Sequence, residues 1–184
     1  MKKFVVTLFA LALSLTVVSC RNSSPMKSSE LGETSGAVSI TLPEQVNTLE
    51  DAILEELQTD VVPGDDLPLS INYSNAIYKS ISATIISQDD KTGQATVKFK
   101  YIDVLSLADG YKGDIENIDS FYEHCLQAIS SGAAATLTET VTVSYTVLIT
   151  DNVMTYVVEE IENEANILSG GALSVLKDLM NGEG

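Results

Sequence analysis

A single histidine, His124, denies this 184-residue chain a His-rich metal centre, and no C-x-x-C pair compensates. Two cysteines, Cys20 and Cys125, are too few for a disulfide framework. Neither G-x-S-x-G nor a P-loop is present. A serine–histidine–carboxylate triad would have to recruit His124, which no strand-to-helix nucleophile elbow accompanies. Positive charge is scarce as well: 10 basic residues face 26 acidic ones, a net charge of −16. Such a surface repels DNA, RNA and anionic head groups, so nucleic acid is excluded as a partner. No cofactor and no metal ligand set is expected, and no catalytic residue is assigned.

Long apolar runs are also missing, with one exception at the start. Lys2 and Lys3 precede an apolar stretch over residues 4–18, interrupted only by Thr7, Ser14 and Thr16. At about 1.5 Å per residue this stretch falls short of a ~30 Å hydrocarbon core and fits a secretory leader. It ends in Val17-Val18-Ser19-Cys20, which resembles the lipobox of bacterial lipoproteins. That resemblance implies cleavage between Ser19 and Cys20 and acylation of the Cys20 thiol, palmitate included. Multiple acyl chains give stable anchoring. The expected location is extracytoplasmic, tethered to a bacterial cell membrane, inner or outer being open. Residues 1–19 are then signal peptide, and 20–39 are the lipidated cysteine and a flexible, Ser-rich tether. Residues 40–181 are a single domain. Loss of Lys2 and Lys3 takes the charge to about −18.

Periodicity organises the domain. Residues 43–57 predict a helix with Val46, Leu49, Ile53, Leu54 and Leu57 inward and Pro43 in the first turn. Residues 62–68 break regular structure. Residues 80–86 and 94–101 alternate as strands, with Ile81, Ala83, Ile85 and Ala95, Val97, Phe99, Tyr101 on the buried side. Gln88 to Gly93 supply the hairpin turn, with Gly93 able to take positive φ. Residues 114–130 predict a helix capped by Gly113 or Asp114, with Gly132 beyond its end. Residues 137–149 alternate Leu137, Glu139, Val141, Val143, Tyr145, Val147 and Ile149 against a Thr/Ser-rich face. Asp151-Asn152 make the turn into 153–158, and two short helical pieces flank Gly170-Gly171. The expected class is α+β: a curved antiparallel sheet packed on helices.

Four stretches carry a family resemblance: Ile81 to Ile85 with its acidic turn, Gln94-Ala-Thr-Val-Lys-Phe99, Tyr156-Val-Val158, and Asn166-Ile-Leu-Ser-Gly-Gly171. The chain resembles small bacterial lipoproteins with a cystatin-like or NTF2-like domain of unknown function. Tyr156 stands where that family usually has tryptophan, and Ile102-Asp103-Val104 replaces its Thr-Asn-Pro-Asp run. The resemblance implies a fold and an anchored location, and it transfers no catalytic residue.

Candidate chemistry is therefore confined to a pocket beneath the sheet, with Tyr101, Asp103, Tyr145 and Tyr156 as its residues. By parity Asp103 continues the Val97, Phe99, Tyr101 face, where a buried carboxylate beside a tyrosine could serve as a base. Alternatively the strand ends at Ile102 and Asp103 faces water, capping the next segment of chain. Cys125 beside His124 reads as a buried small hydrophobe, because adjacent helical residues diverge. The carboxylate pairs Asp65-Asp66, Asp89-Asp90 and Glu159-Glu160 read as solvated loops and helix starts. Asp89 to Gly93 lacks the spaced ligands of a calcium loop. Three functions remain: an anchored binding module for a small apolar ligand or an envelope protein, a pocket enzyme for proton transfer or hydrolysis, and a structural surface lipoprotein. The first needs a solvent-connected cavity, the second needs Asp103 inside it beside a tyrosine, and the third needs a core packed solid.

Overall fold

The computed structural model describes residues 43–113 and 117–181. Its elements in order are β1 (Glu44–Gln45), α1 (Leu49–Leu57), α2 (Leu69–Lys79), β2 (Ser82–Asp89), β3 (Gln94–Ile102), α3 (Val104–Gly110), α4 (Ile118–Ser130), β4 (Thr136–Thr150), β5 (Val153–Ile161), α5 (Glu164–Leu168) and α6 (Ala172–Asn181). Ser19, Cys20, the expected leader and tether, and the 114–116 part of the expected helix lie outside the described residues.

The class is α+β, with a curled five-stranded sheet in the order β1-β5-β4-β3-β2. The sheet is mixed rather than purely antiparallel, because β1 runs parallel to β5, Glu44 opposite Val153. Asn47 extends that short pairing with its side chain. Its Oδ1 accepts from the Tyr156 N–H (2.9 Å) and its Nδ2 donates to the Tyr156 carbonyl (3.2 Å), occupying the backbone groups that β5 would otherwise leave open. Asp151 and Asn152, at φ 52° and 64°, form the left-handed turn that suits the twist of the β4–β5 hairpin.

The expected helix over 43–57 starts six residues late. Thr48 caps it through a reciprocal box with Asp51: Asp51 N–H donates to Thr48 Oγ1 and Thr48 N–H to Asp51 Oδ2, both at 3.0 Å. Val46 thus falls before the helix and is exposed. Leu49, Ile53 and Leu57 are buried as expected, joined by Ala52, with Leu54 half-buried, and this stripe of α1 lies against β5 and β2. Those strands stand near opposite edges of the sheet, so α1 fills the mouth of the curl. It meets Val97, Phe99, Val143 and Ile167, none of which reaches solvent.

Two helices were not anticipated. Helix α2 hides its period because Ser74 and Asn75 are buried beside Tyr73, Ile77 and Tyr78. Asn75 accepts from the Val62 N–H (3.0 Å) and donates to the Val62 carbonyl (2.8 Å), so a buried polar side chain fixes the loop before it. Helix α3 follows β3 directly. Helices α2, α3 and α4 share a second core with Ile102, Phe121, Tyr122 and Cys125. Helix α4 is capped by Asn117, whose Oδ1 accepts from the Ser120 N–H (3.1 Å), and not by Gly113 or Asp114. Strand β5 runs on to Ile161, so Glu159 and Glu160 belong to a strand and not to a helix start. Ile149 and Leu137, expected inward, sit near the ends of β4 and are exposed.

Alternation along β2, β3 and β4 also defines an outer face. Three rows cross it: Ser82–Lys100–Thr138, Thr84–Lys98–Thr140 and Ser87–Thr96–Thr142. Thr96 is half-buried and the other eight side chains are exposed.

Candidate functional site

The four residues expected to share a pocket are placed in three different settings. Tyr101 and Tyr145 both point into the curl, at 3% and 2% exposure, but from opposite ends of the β3–β4 ladder. Tyr101 pairs with Leu137, whereas Tyr145 follows Ser144, the partner of Gln94. Eight residues of strand, roughly 27 Å, separate the two levels. Asp103 lies outside the curl. The strand ends at Ile102, and the Asp103 carboxylate caps α3, accepting from the Ser106 N–H (3.0 Å) and the Ser106 hydroxyl (2.6 Å). Its oxygens are spent on a helix end, where a carboxylate satisfies amides that otherwise lack partners.

At the Tyr101 end, Glu139 gathers three donors: Tyr101 Oη (3.0 Å) and Asn166 Nδ2 (3.1 Å) on Oε2, and Asn163 Nδ2 (2.9 Å) on Oε1. Burial, then the Glu139 carboxylate, then Asp103 push the Tyr101 phenol up to about 12. It donates and does not titrate near neutrality. The cluster fastens α5 to β4.

Only Tyr145 and Tyr156 come together, with ring centroids 5.7 Å apart. Two residues of the β2–β3 turn, which the sequence places in a solvated loop and not in a pocket, complete the group. Tyr145 Oη donates to Asp90 Oδ1 (2.8 Å), and Gln88 Nε2 donates to the same oxygen (2.7 Å) and to Tyr156 Oη (3.1 Å). A β-bulge makes this possible. Ile85 faces Val97 on the inner side, but the register shifts so that Ser87 pairs with Thr96 and Gln88 with Ala95. Gln88 is thereby turned inward, where unbroken alternation would have turned it out. A second register shift falls at Ser144 and Tyr145, opposite which β5 carries the extra residue Glu159. Bulges raise local twist, and with the sheet curled, Gln88 of the edge strand reaches Tyr156, although β3 and β4 stand between their strands. The turn is pressed close: Tyr145 N–H donates to the Gly93 carbonyl (2.8 Å), and any Cβ on Gly93 would overlap the Tyr145 carbonyl.

The electrostatics of this group favour a fixed hydrogen bond over an exchanging proton. The Gln88 amide, then the Tyr145 hydroxyl, hold the Asp90 carboxyl below its usual range. Burial, then the Asp90 charge, raise the Tyr145 phenol far above neutrality. A general base works best with a pKa near the working pH, and these two groups are moved away from it in opposite directions. The group is a clasp between the β2–β3 turn and the β4–β5 hairpin. Tyr145→Phe removes one of the two donors, so the Asp90 carboxyl should move up toward its ordinary value, observable by NMR titration. Because the folded value is depressed, the clasp contributes stability above the unfolded carboxyl range and loses it as pH falls through the folded value. The variant should therefore show a shallower loss of stability on acidification. An unmoved Asp90 titration would mean that Tyr145 does not hold it.

Cys125 is fully buried, and burial pushes its thiol up to about 12, which removes thiolate reactivity at neutral pH. His124 points elsewhere, against the Tyr111 ring at 5.5 Å. Among the described residues no group of three or more His, Cys, Asp or Glu side chains is placed to hold a metal. Comparison with protein-family models, curated proteins and solved structures gave no match.

Proposed function

We propose that this chain is a lipoprotein of the bacterial envelope, acylated at Cys20, whose domain is a non-enzymatic docking module working through its exterior. One observation carries the second half: the inner side of the sheet is occupied by the protein's own core. Leu49, Ile53 and Leu57 of α1 fill the curl against Val97, Phe99 and Val143, and the inward tyrosine hydroxyls are already spent on Glu139, Asp90 and Gln88. An inner side lined by packed aliphatic side chains, with its tyrosine hydroxyls already partnered, favours work on the outside of the sheet over a buried ligand or a pocket base. The lipobox residues Val17 to Cys20 support the anchored half, together with the Ser-rich stretch that would act as a tether. The resemblance to cystatin-like or NTF2-like lipoprotein domains belongs to the same proposal, supported by helix α1 lying inside a curled sheet.

Native mass spectrometry of the full-length protein extracted from its own membranes tests both halves. The expected mass is that of a chain beginning at Cys20 and carrying acyl groups, with no retained small molecule. A chain still bearing residues 1–19, or an unacylated one, would overturn the anchor. A stoichiometric apolar ligand surviving extraction would overturn the exterior reading.

A further inference from the structure

The outer face of β2, β3 and β4 differs chemically from the rest of the chain. Its three rows hold seven hydroxyl side chains and two lysines, and no carboxylate, in a protein with 26 acidic residues. Lys98 and Lys100 are exposed and make no ion pair among the described residues. Two residues apart on one face, they stand about 7 Å from each other. Each is flanked on both sides by hydroxyls, Lys100 by Ser82 and Thr138, and Lys98 by Thr84 and Thr140. Carboxylates stand at the border, at Asp89 and Glu160 at the two ends of the next row, Asp89–Gln94–Ser144–Glu160, and at Glu162, whose Oε2 accepts from the Thr142 N–H (3.0 Å). An unpaired ammonium costs little in water, but its pairing with an anion is open to any partner. With no carboxylate in these rows, that anion has to come from outside.

We propose that this face binds an anionic glycan of low charge density, one whose carboxylates are spaced by neutral sugars. This rests on the exterior-docking reading and names its partner. Two features select the glycan. Protein interfaces are enriched in aromatic, Met and Arg side chains and depleted in Lys and Ser, the reverse of what these rows contain. Hydroxyls that both donate and accept match the hydroxyls of a sugar chain. Dense polyanions are disfavoured by the charge of the body as a whole, whereas sparse carboxylates meet the two lysines at contact range, where the local charge dominates.

The test measures binding of full-length protein in neutral detergent to immobilised hyaluronan, with dextran and poly-glutamate as comparison surfaces. It is run near 0.1 M salt, where a Debye length of about 10 Å screens the acidic body and leaves contact attraction. The expected result is binding to hyaluronan, none to dextran, and less to poly-glutamate. Lys98→Gln with Lys100→Gln should weaken hyaluronan binding about tenfold or more, and Thr84→Val with Thr140→Val several-fold. These side chains are exposed, so an unchanged melting temperature verifies the fold. Absence of hyaluronan binding, equal binding by the lysine variant, or tighter binding to poly-glutamate would each overturn the glycan assignment. The acylation of Cys20 is read separately by mass, so failure here leaves the anchored reading standing or falling on its own result.

Discussion

Phe99→Ala should lower the stability of the domain by about 3–5 kcal/mol, the range for deleting a fully buried aromatic side chain and leaving its volume unfilled. Phe99 sits on β3, flanked by Ala83 on β2 and Glu139 on β4, and none of its surface reaches solvent. On one side its neighbours are strands in register. On the other they belong to the core in which α1 packs, so neither side can close on the void without moving an element. With domains of this size stable by about 5–15 kcal/mol, the change removes a large share of the total. The urea midpoint should fall steeply with little change in slope. Lys98→Ala, one residue away but facing outward, should stay within about 0.5 kcal/mol. The contrast bears on function as well as stability. A loss of less than about 1 kcal/mol at Phe99 would mean that the curl holds slack volume, and an inner ligand site would then have to be reconsidered.

The strands were legible because their signal is local. Ala95, Val97, Phe99 and Tyr101 alternate with residues that face out, and each of the four is buried as the period requires. Period alone misled at Val46, which lies three residues before Leu49 and looks like another turn of the same stripe. The Thr48–Asp51 box, a local motif also present in the sequence, sets the helix start instead. Helix α2 was missed for the opposite reason. Its inward side includes Asn75, buried to hold the backbone of Val62, and a polar residue inside breaks the apolar count. At Asp103 the two readings open in the sequence were strand parity and helix cap, and Ser106 three residues on supplies the bonds that decide for the cap. The clasp was out of reach. Gln88 and Tyr156 are 68 residues apart, Asp90 and Tyr145 are 55 apart, and a bulge reverses the face that simple alternation assigns to Gln88. The outer rows stood partly in view, since the Thr/Ser face of 138–146 was plain. Its alignment with Lys98 and Lys100 depends on register, which a single sequence does not specify.

Gly170→Ala should cost about 2–5 kcal/mol, a sum of two effects that a second glycine can separate. Gly170 has φ of +62°, and a side chain in that left-handed conformation carries about 1–2 kcal/mol of strain. A Cβ there would also overlap Val104 Cγ2 and lie 2.7 Å from the Ile102 carbonyl oxygen. Relief of such overpacking typically costs a further 1–3 kcal/mol. The neighbours cannot yield cheaply. Ile102 ends β3, Val104 opens α3, and the Val104 N–H donates to the Gly170 carbonyl (3.2 Å). Ile167 belongs to the core under the sheet, Ile102 and Val104 belong to the core among α2, α3 and α4, and Leu168 packs against both. The turn is thus where the two cores are held together. Gly132, at φ +72°, has nothing within 4 Å of its would-be Cβ, so Gly132→Ala should show the conformational cost alone. Chemical denaturation of both variants gives the difference, expected at about 1–3 kcal/mol in the direction of greater damage at Gly170. Equal losses would mean that the 170–171 turn does not press on the β3–α3 junction.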